Sequence, residues 1–165
     1  YDGPRPDVGL ALARRIAHKT FVSPDTLRER ARGVLVSHKP PHGWYEMNHP
    51  VESYMLHQGE KFVQRFDANT YLRIVDAWQW FDLVAEAGAR DFHELFARCQ
   101  HQEFLVFSMD SDVSFHPQEQ SKLVHLLKDA QVPVMWITVH SEKGHDSFLL
   151  EPRLFTPHLA QALNR

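Results

Sequence analysis

Phe104 to Asp146 reads FLVFSMDSDVSFHPQEQSKLVHLLKDAQVPVMWITVHSEKGHD. Phe104-Leu105-Val106-Phe107 is a short apolar run of the kind that forms a buried strand. Pro117 then opens a helix, with Glu119 in its first turn and Leu123, Leu126 and Leu127 on one face. Val132 to Val139 is a second apolar run, rich in β-branched residues. After it come a loop, Ser141 to Asp146, and a helical segment ending in Leu159 to Leu163. Strand, helix, strand, helix at this spacing predicts a βαβ unit with a parallel pair. Open α/β sheets place function just past the C-terminal ends of their strands. Asp112 follows the first strand there. His145 follows the second, with Gly144 before it permitting a tight backbone approach and Asp146 directly after.

Outward from this unit the pattern becomes helical. Gly9 to Ala17 has helical spacing. Ser23-Pro24 reads as an N-cap with proline at the first helical position, opening a helix through Arg32. Lys39-Pro40-Pro41-His42-Gly43 is a loop by composition. From Pro50, the residues Val51, Met55, Phe62 and Phe66 recur at helical spacing. Asp67 is placed to cap a further helix carrying Tyr71, Leu72, Val75, Trp78 and Phe81, and Ala87-Gly88-Ala89 ends that region. The character changes after Gln102, so the expected division is a helical region, 1–101, followed by an α/β segment, 102–165.

The chain has 165 residues, of which 43% are hydrophobic, enough for one compact core. Lys plus Arg is 18 against 21 acidic residues, a net charge of -3, which gives no electrostatic case for nucleic acid or an anionic membrane. The single cysteine, Cys99, rules out an intramolecular disulfide and fits a reducing compartment, so a cytoplasmic location is expected. No run is long and apolar enough to span a bilayer, and the start lacks the pattern of a signal peptide. The chain opens on Tyr1 rather than Met, so a fragment, a processed form or a partial gene product is expected.

Asp112 and His145 match the second and third terms of the nucleophile, acid, histidine order of α/β-hydrolases. A serine hydroxyl is a weak nucleophile until a base takes its proton, and a buried carboxylate fixes that base's tautomer. With twelve histidines in the chain, the residues alone leave equally open an ordinary loop aspartate and surface histidine. No G-x-S-x-G occurs, so the isolated chain is expected not to catalyse acyl transfer. No H-E-x-x-H or C-x-x-C occurs, and His38, His42 and His49 lack helical i, i+4 pairing, so no metal is expected. Cys99 reads as core. The helical spacing of the aromatics Trp44, Phe62, Phe66, Trp78, Trp80 and Phe81 favours core or dimer-interface packing over a base-stacking platform.

The blocks Val51-Glu52-Ser53-Tyr54, Gln58-Gly59-Glu60-Lys61-Phe62 and Arg65-Phe66-Asp67-Ala68-Asn69-Thr70-Tyr71-Leu72 resemble those of homoserine O-acetyltransferases. So do Gly9 to Arg14 with Ile16-Ala17-His18, Ser111-Asp112 with Phe115 and Pro117, and Gly144-His145-Asp146 with Phe148-Leu149. The resemblance runs nearly end to end. It implies the C-terminal part of an α/β-hydrolase fold, with residues 1–101 as a helical lid and 102–165 as the last two parallel strands and helices of the core. It implies ping-pong acylation of homoserine from acetyl-CoA or succinyl-CoA in methionine biosynthesis, with no other cofactor. Asp112 would orient His145, His145 would act as the base, and Asp146 would face the substrate's amino group. It also implies a homodimer pairing through lid helices. Ser114 and His116 stand where the family commonly has a leucine and a second proline, which leaves the exact substrate open.

Three other readings stand beside it: a serine O-acyltransferase of cysteine biosynthesis, a carboxylic-ester hydrolase of the same fold, and a non-catalytic dimerising remnant. The Val51 to Leu72 block disfavours the hydrolase. Two parallel strands without neighbours expose apolar edge and face, so the isolated chain is expected to be marginal, aggregating or oligomeric.

Overall fold

The computed structural model describes residues 3–32 and 49–164. The loop read at Lys39 to Gly43, with His38, His42 and Trp44, lies outside the described residues. The chain divides into two compact units between Gln79 and Trp80.

The first unit is helical. Its elements are α1 (Asp7–Phe21), α2 (Pro24–Arg30), α3 (Pro50–Arg65) and α4 (Ala68–Trp80). The Ser23 hydroxyl accepts a hydrogen bond from the Thr26 N–H at 3.3 Å, the cap that Ser23-Pro24 predicts. α3 likewise has Pro50 in its first turn, and its cap is His49, whose Nδ1 accepts from the Val51 N–H at 3.2 Å. Asp67 Oδ2 accepts from the Thr70 N–H at 2.8 Å at the start of α4. Leu10 of α1 and Phe62 of α3 are buried, and the Arg14 guanidinium lies 5.3 Å from the Phe62 ring centroid. α4 behaves differently from its periodicity. None of its residues is buried, and Trp78 and Trp80 are 76% and 85% exposed.

α1 and α3 meet at Gly59. A β-carbon there would lie 2.9 Å from the Ala11 carbonyl oxygen and 3.2 Å from the Ala11 β-carbon. Both are too close, and the first neighbour is backbone, which cannot rotate away. Gly59→Ala is therefore expected to push the helices apart and lower stability by about 1–3 kcal/mol, although alanine is the better helix former. The check is a lowered urea midpoint for the first unit; an unchanged or raised midpoint would refute the close-contact argument.

The second unit runs α5 (Leu83–Glu86), α6 (Phe92–Ala97), β1 (Phe104–Met109), α7 (Pro117–Asp129), β2 (Val134–Val139), α8 (Ser147–Leu150) and α9 (Thr156–Leu163). Asp82 and Asp91 cap α5 and α6. β1 and β2 are parallel, in register from Phe104 opposite Val134 to Met109 opposite Val139. Alternate residues face opposite ways, so both faces of the pair are packed. On one face Val106 joins Leu95 and Phe96 of α6, Val124 and Leu127 of α7, and Val132. On the other, Met109 and Val139 pack with Phe155, whose ring lies 5.2 Å from that of Phe107. Because α6 buries Leu95 and Phe96 here, the compact unit begins earlier in the chain than the change of character at Gln102. Cys99 lies just past the end of α6, a free thiol partly buried against the same cluster.

The second strand begins at Val134, not Val132. Pro133 has no N–H to give to the ladder, though its carbonyl accepts from the Phe104 N–H at 2.9 Å. Before it, α7 ends in a Schellman turn. The Val132 N–H donates to the Leu127 carbonyl and the Gln131 N–H to the Lys128 carbonyl, each at 2.9 Å. Gln131 sits there at φ 60°, a left-handed conformation in which a β-carbon costs energy. Gln131→Gly is expected to raise stability by about 0.5–1 kcal/mol, the relief of that strain offset in part by glycine's larger unfolded entropy. A higher urea midpoint with unchanged slope checks it; a lower midpoint would show that the Gln131 side chain contributes more than its strain costs.

Candidate active site

β1 and β2 run the same way, so the loops that follow them emerge at one edge of the sheet. Leaving β1, the Asp112 N–H donates to the Met109 carbonyl at 3.2 Å, turning the chain sharply. This places the Asp112 carboxylate inside its own loop, 2% exposed as a residue. Oδ1 accepts from the backbone N–H groups of Ser114 and Phe115 at 2.8 and 2.9 Å. Oδ2 lies 2.8 Å from His145 Nδ1. A buried carboxylate needs donors to replace water, and these three supply them.

His145 lies in a single 3-10 turn, Gly144–Asp146. Gly144 has φ 73°, which side chains rarely tolerate, and that geometry turns His145 back toward the acid loop. The imidazole remains 27% exposed, beside Phe115 with centroids 5.0 Å apart and edge-on to Phe148 at 5.9 Å. An ionised carboxylate only accepts, so Nδ1 carries the hydrogen in this bond. That leaves Nε2 as the basic nitrogen of the neutral ring, the tautomer a general base requires.

Asp146 is partly buried in the same turn and makes no side-chain cap bond to α8. The structure thus joins Asp112 to His145 and puts Asp146 beside the histidine in sequence. Among the described residues, no group of three or more His, Cys, Asp or Glu side chains is placed to hold a metal ion. No described helix is long and apolar enough to cross a membrane.

A second acid–histidine pair closes the same strand ends. His140 Nδ1 lies 2.8 Å from Asp110 Oδ2, and Asp110 Oδ1 accepts from the Ser141 N–H at 3.1 Å. The hydrogen bond from His140 holds the Asp110 carboxyl below its ordinary range, with the Ser141 amide adding to the effect. With its histidine side chain 84% exposed, this pair works in water, where an ion pair contributes little. Burial marks out the Asp112–His145 pair.

The residues that hold the two loops together are serines that belong to no motif. The Ser111 hydroxyl donates to the Ser141 carbonyl and accepts from the Gly144 N–H at 3.0 Å. The Ser141 hydroxyl donates to Glu151 Oε2 at 2.6 Å and accepts from the Lys143 N–H at 3.1 Å. Ser147, fully buried, donates to the Gly144 carbonyl, with the Ser141 hydroxyl 2.9 Å away. The available signal was a serine directly before the acid and another directly after the Gly-His-Asp turn.

No protein-family model matches the chain. It is 37% identical over 155 residues to a homoserine O-acetyltransferase of Mesorhizobium japonicum, covering 93% of this chain and 39% of the relative. It is 38% identical over 157 residues to a homoserine O-succinyltransferase of Alkalilimnicola ehrlichii, covering 92% of this chain and 39% of that protein. The chain spans about two fifths of the length of these curated relatives. Its fold matches a crystal structure of homoserine O-acetyltransferase from Bacillus anthracis with a TM-score of 0.81 at 18% identity, covering all of this chain and 43% of that one. It also matches an esterase, E22, with a TM-score of 0.76 at 16% identity over 95% of this chain and 42% of that one. The fold is that of part of an α/β-hydrolase, and over the stretch it spans the chain is similar in sequence to homoserine O-acetyl- and O-succinyltransferases.

Proposed function

We propose that the chain carries the acid and the base of a homoserine O-acyltransferase whose serine nucleophile lies outside these 165 residues. The observation that supports this most is the buried Asp112 carboxylate bonded to His145 Nδ1 at 2.8 Å, at the ends of two parallel strands, in a chain with such relatives. In the first half-reaction His145 Nε2 takes the serine proton as the serine oxygen attacks the acyl-CoA thioester carbon. The C–S bond then breaks, and the imidazolium returns the proton to the departing thiolate. In the second, Nε2 takes the proton of the homoserine hydroxyl, which attacks the acyl-serine ester. The serine leaves with that proton. Asp112 holds the ring and offsets its positive charge in both halves. Asp146 pairs with the substrate ammonium group.

The product belongs to methionine biosynthesis, in the cytoplasm where acyl-CoA is available. Two copies pair through helices of the 1–101 region; the exposed Leu72, Trp78 and Trp80 of α4 favour this.

The test is thiol release by a family-length protein carrying this chain, with acetyl-CoA or succinyl-CoA as donor and homoserine, serine or water as acceptor. Homoserine-dependent release names the reaction and the faster donor. Release with serine alone would move the protein to the serine acyltransferases, and release without any amino acid would make it a hydrolase.

A further inference from the structure

The acid loop and the histidine loop are joined by more than the bond between their functional side chains. Ser111 precedes Asp112 and Gly144 precedes His145, and the Ser111 hydroxyl bridges the two loops at those positions. It donates to the carbonyl of Ser141, the first residue of the histidine loop, and accepts from the Gly144 N–H at 3.0 Å. One hydroxyl therefore fixes both the start of the histidine loop and the residue before the histidine. The Asp110 carboxylate reinforces the first of these points through the Ser141 N–H at 3.1 Å.

We infer that Ser111 is a positioning residue: its hydroxyl sets the distance and angle between His145 and Asp112 by holding the Gly144 amide and the Ser141 carbonyl together. This goes further than, and rests on, the reading of Asp112 and His145 as the acid–base pair. Ser111 acts through the two backbones, and no contact with substrate is assigned to it. The inference follows from chain geometry. The Gly144 N–H is one peptide from the His145 α-carbon, so a shift there moves the ring with it. A bond from Nδ1 to a carboxylate weakens steeply with misalignment. Ser147 and Glu151 shape the same turn from the other side, through the Gly144 carbonyl and the Ser141 hydroxyl. They leave the Gly144 N–H to Ser111.

The test compares a family-length protein carrying the native chain with its S111A and S111T forms. S111A removes both bonds. S111T keeps the hydroxyl at a partly exposed residue. The readout is the His145 Nδ1–H proton followed by NMR, in its chemical shift and its exchange with water. A part that was only structural would lower the melting temperature without moving this signal. Removing the bridge should speed exchange about tenfold and shift the signal upfield, while S111T stays within about twofold of native. Native-like exchange in S111A, or equal loss in S111T and S111A, would overturn the inference. If S111A does not fold, S111C carries the test, since a thiol is a weaker donor and acceptor of similar size. Exchange faster than native supports the bridge, and native exchange refutes it. In a family-length protein, S111A should lower kcat about tenfold with KM within twofold. If that protein transfers no acyl group yet the proton still responds to S111A, the positioning role stands and the acyltransferase reading falls.

Discussion

Asp112→Asn is expected to cut acyl transfer by a family-length protein carrying this chain about 10⁴-fold. The substitution keeps the volume and reverses the hydrogen-bond sense of one end of the side chain. Oδ1 now accepts from two backbone N–H groups, and Oδ2 accepts from His145 Nδ1. An amide offers only one accepting end. If its carbonyl faces the Ser114 and Phe115 amides, its NH₂ faces Nδ1 and stabilises the tautomer with hydrogen on Nε2, which cannot take a proton from serine. If it flips, its NH₂ opposes two backbone N–H groups in a buried loop. Both arrangements also lose the charge that offsets the imidazolium. The loss should fall on kcat with KM nearly unchanged, because Asp112 is buried behind the histidine and touches no substrate in this scheme. Asp110→Asn, which alters the exposed pair, should cost less than about tenfold. Initial rates of thiol release at saturating homoserine check both. A decrease below tenfold in Asp112→Asn, or a larger effect from Asp110→Asn, would assign the chemistry to the wrong pair.

The parallel pair, its crossover helix and the acid–histidine pair were legible because each leaves a periodic or directional trace. Buried strands leave apolar runs, α7 shows a repeat of leucines behind a proline, and Asp112 and His145 each follow a strand end. What the sequence left unread has a physical reason in each case. The apolar positions of α4 mark a face, but periodicity does not say what covers that face, and among the described residues none of its side chains is buried. The left-handed turn after α7 carries Gln131 where glycine is the usual signal, so the apolar run begins two residues before the strand does. The hydroxyls of Ser111, Ser141 and Ser147 have no period at all. Serine is as common in ordinary loops as in buried networks, and only the fold brings residues 111 and 144 together. Ser114 and His116, the departures from the family pattern, lie in the loop around the acid. Ser114 contributes through its backbone N–H, which any residue but proline supplies.

Leu127→Ala should be the most damaging substitution in the second unit, lowering its stability by about 2–5 kcal/mol. Leu127 is 0% exposed and packs with Leu95 and Phe96 from α6, Val106 from β1 and Val132 at the entry to β2. It is thus the point where the crossover helix meets the strand pair and the preceding helix. Its backbone is committed as well, because its carbonyl accepts the Val132 N–H that closes α7. Removing three carbons leaves a cavity whose walls belong to three elements fixed by separate hydrogen-bond systems, so collapse should be incomplete. Leu126, one residue earlier and only partly buried against the same cluster, is the control, with an expected loss of under half as much. Urea unfolding followed by amide exchange in β1 and β2 separates the two. Exchange should accelerate in both strands together for Leu127→Ala, since they share that support. Equal losses from the two substitutions would mean that the core is loose enough to refill the space, and then the register that brings Asp112 to His145 would have to be held by the loops alone.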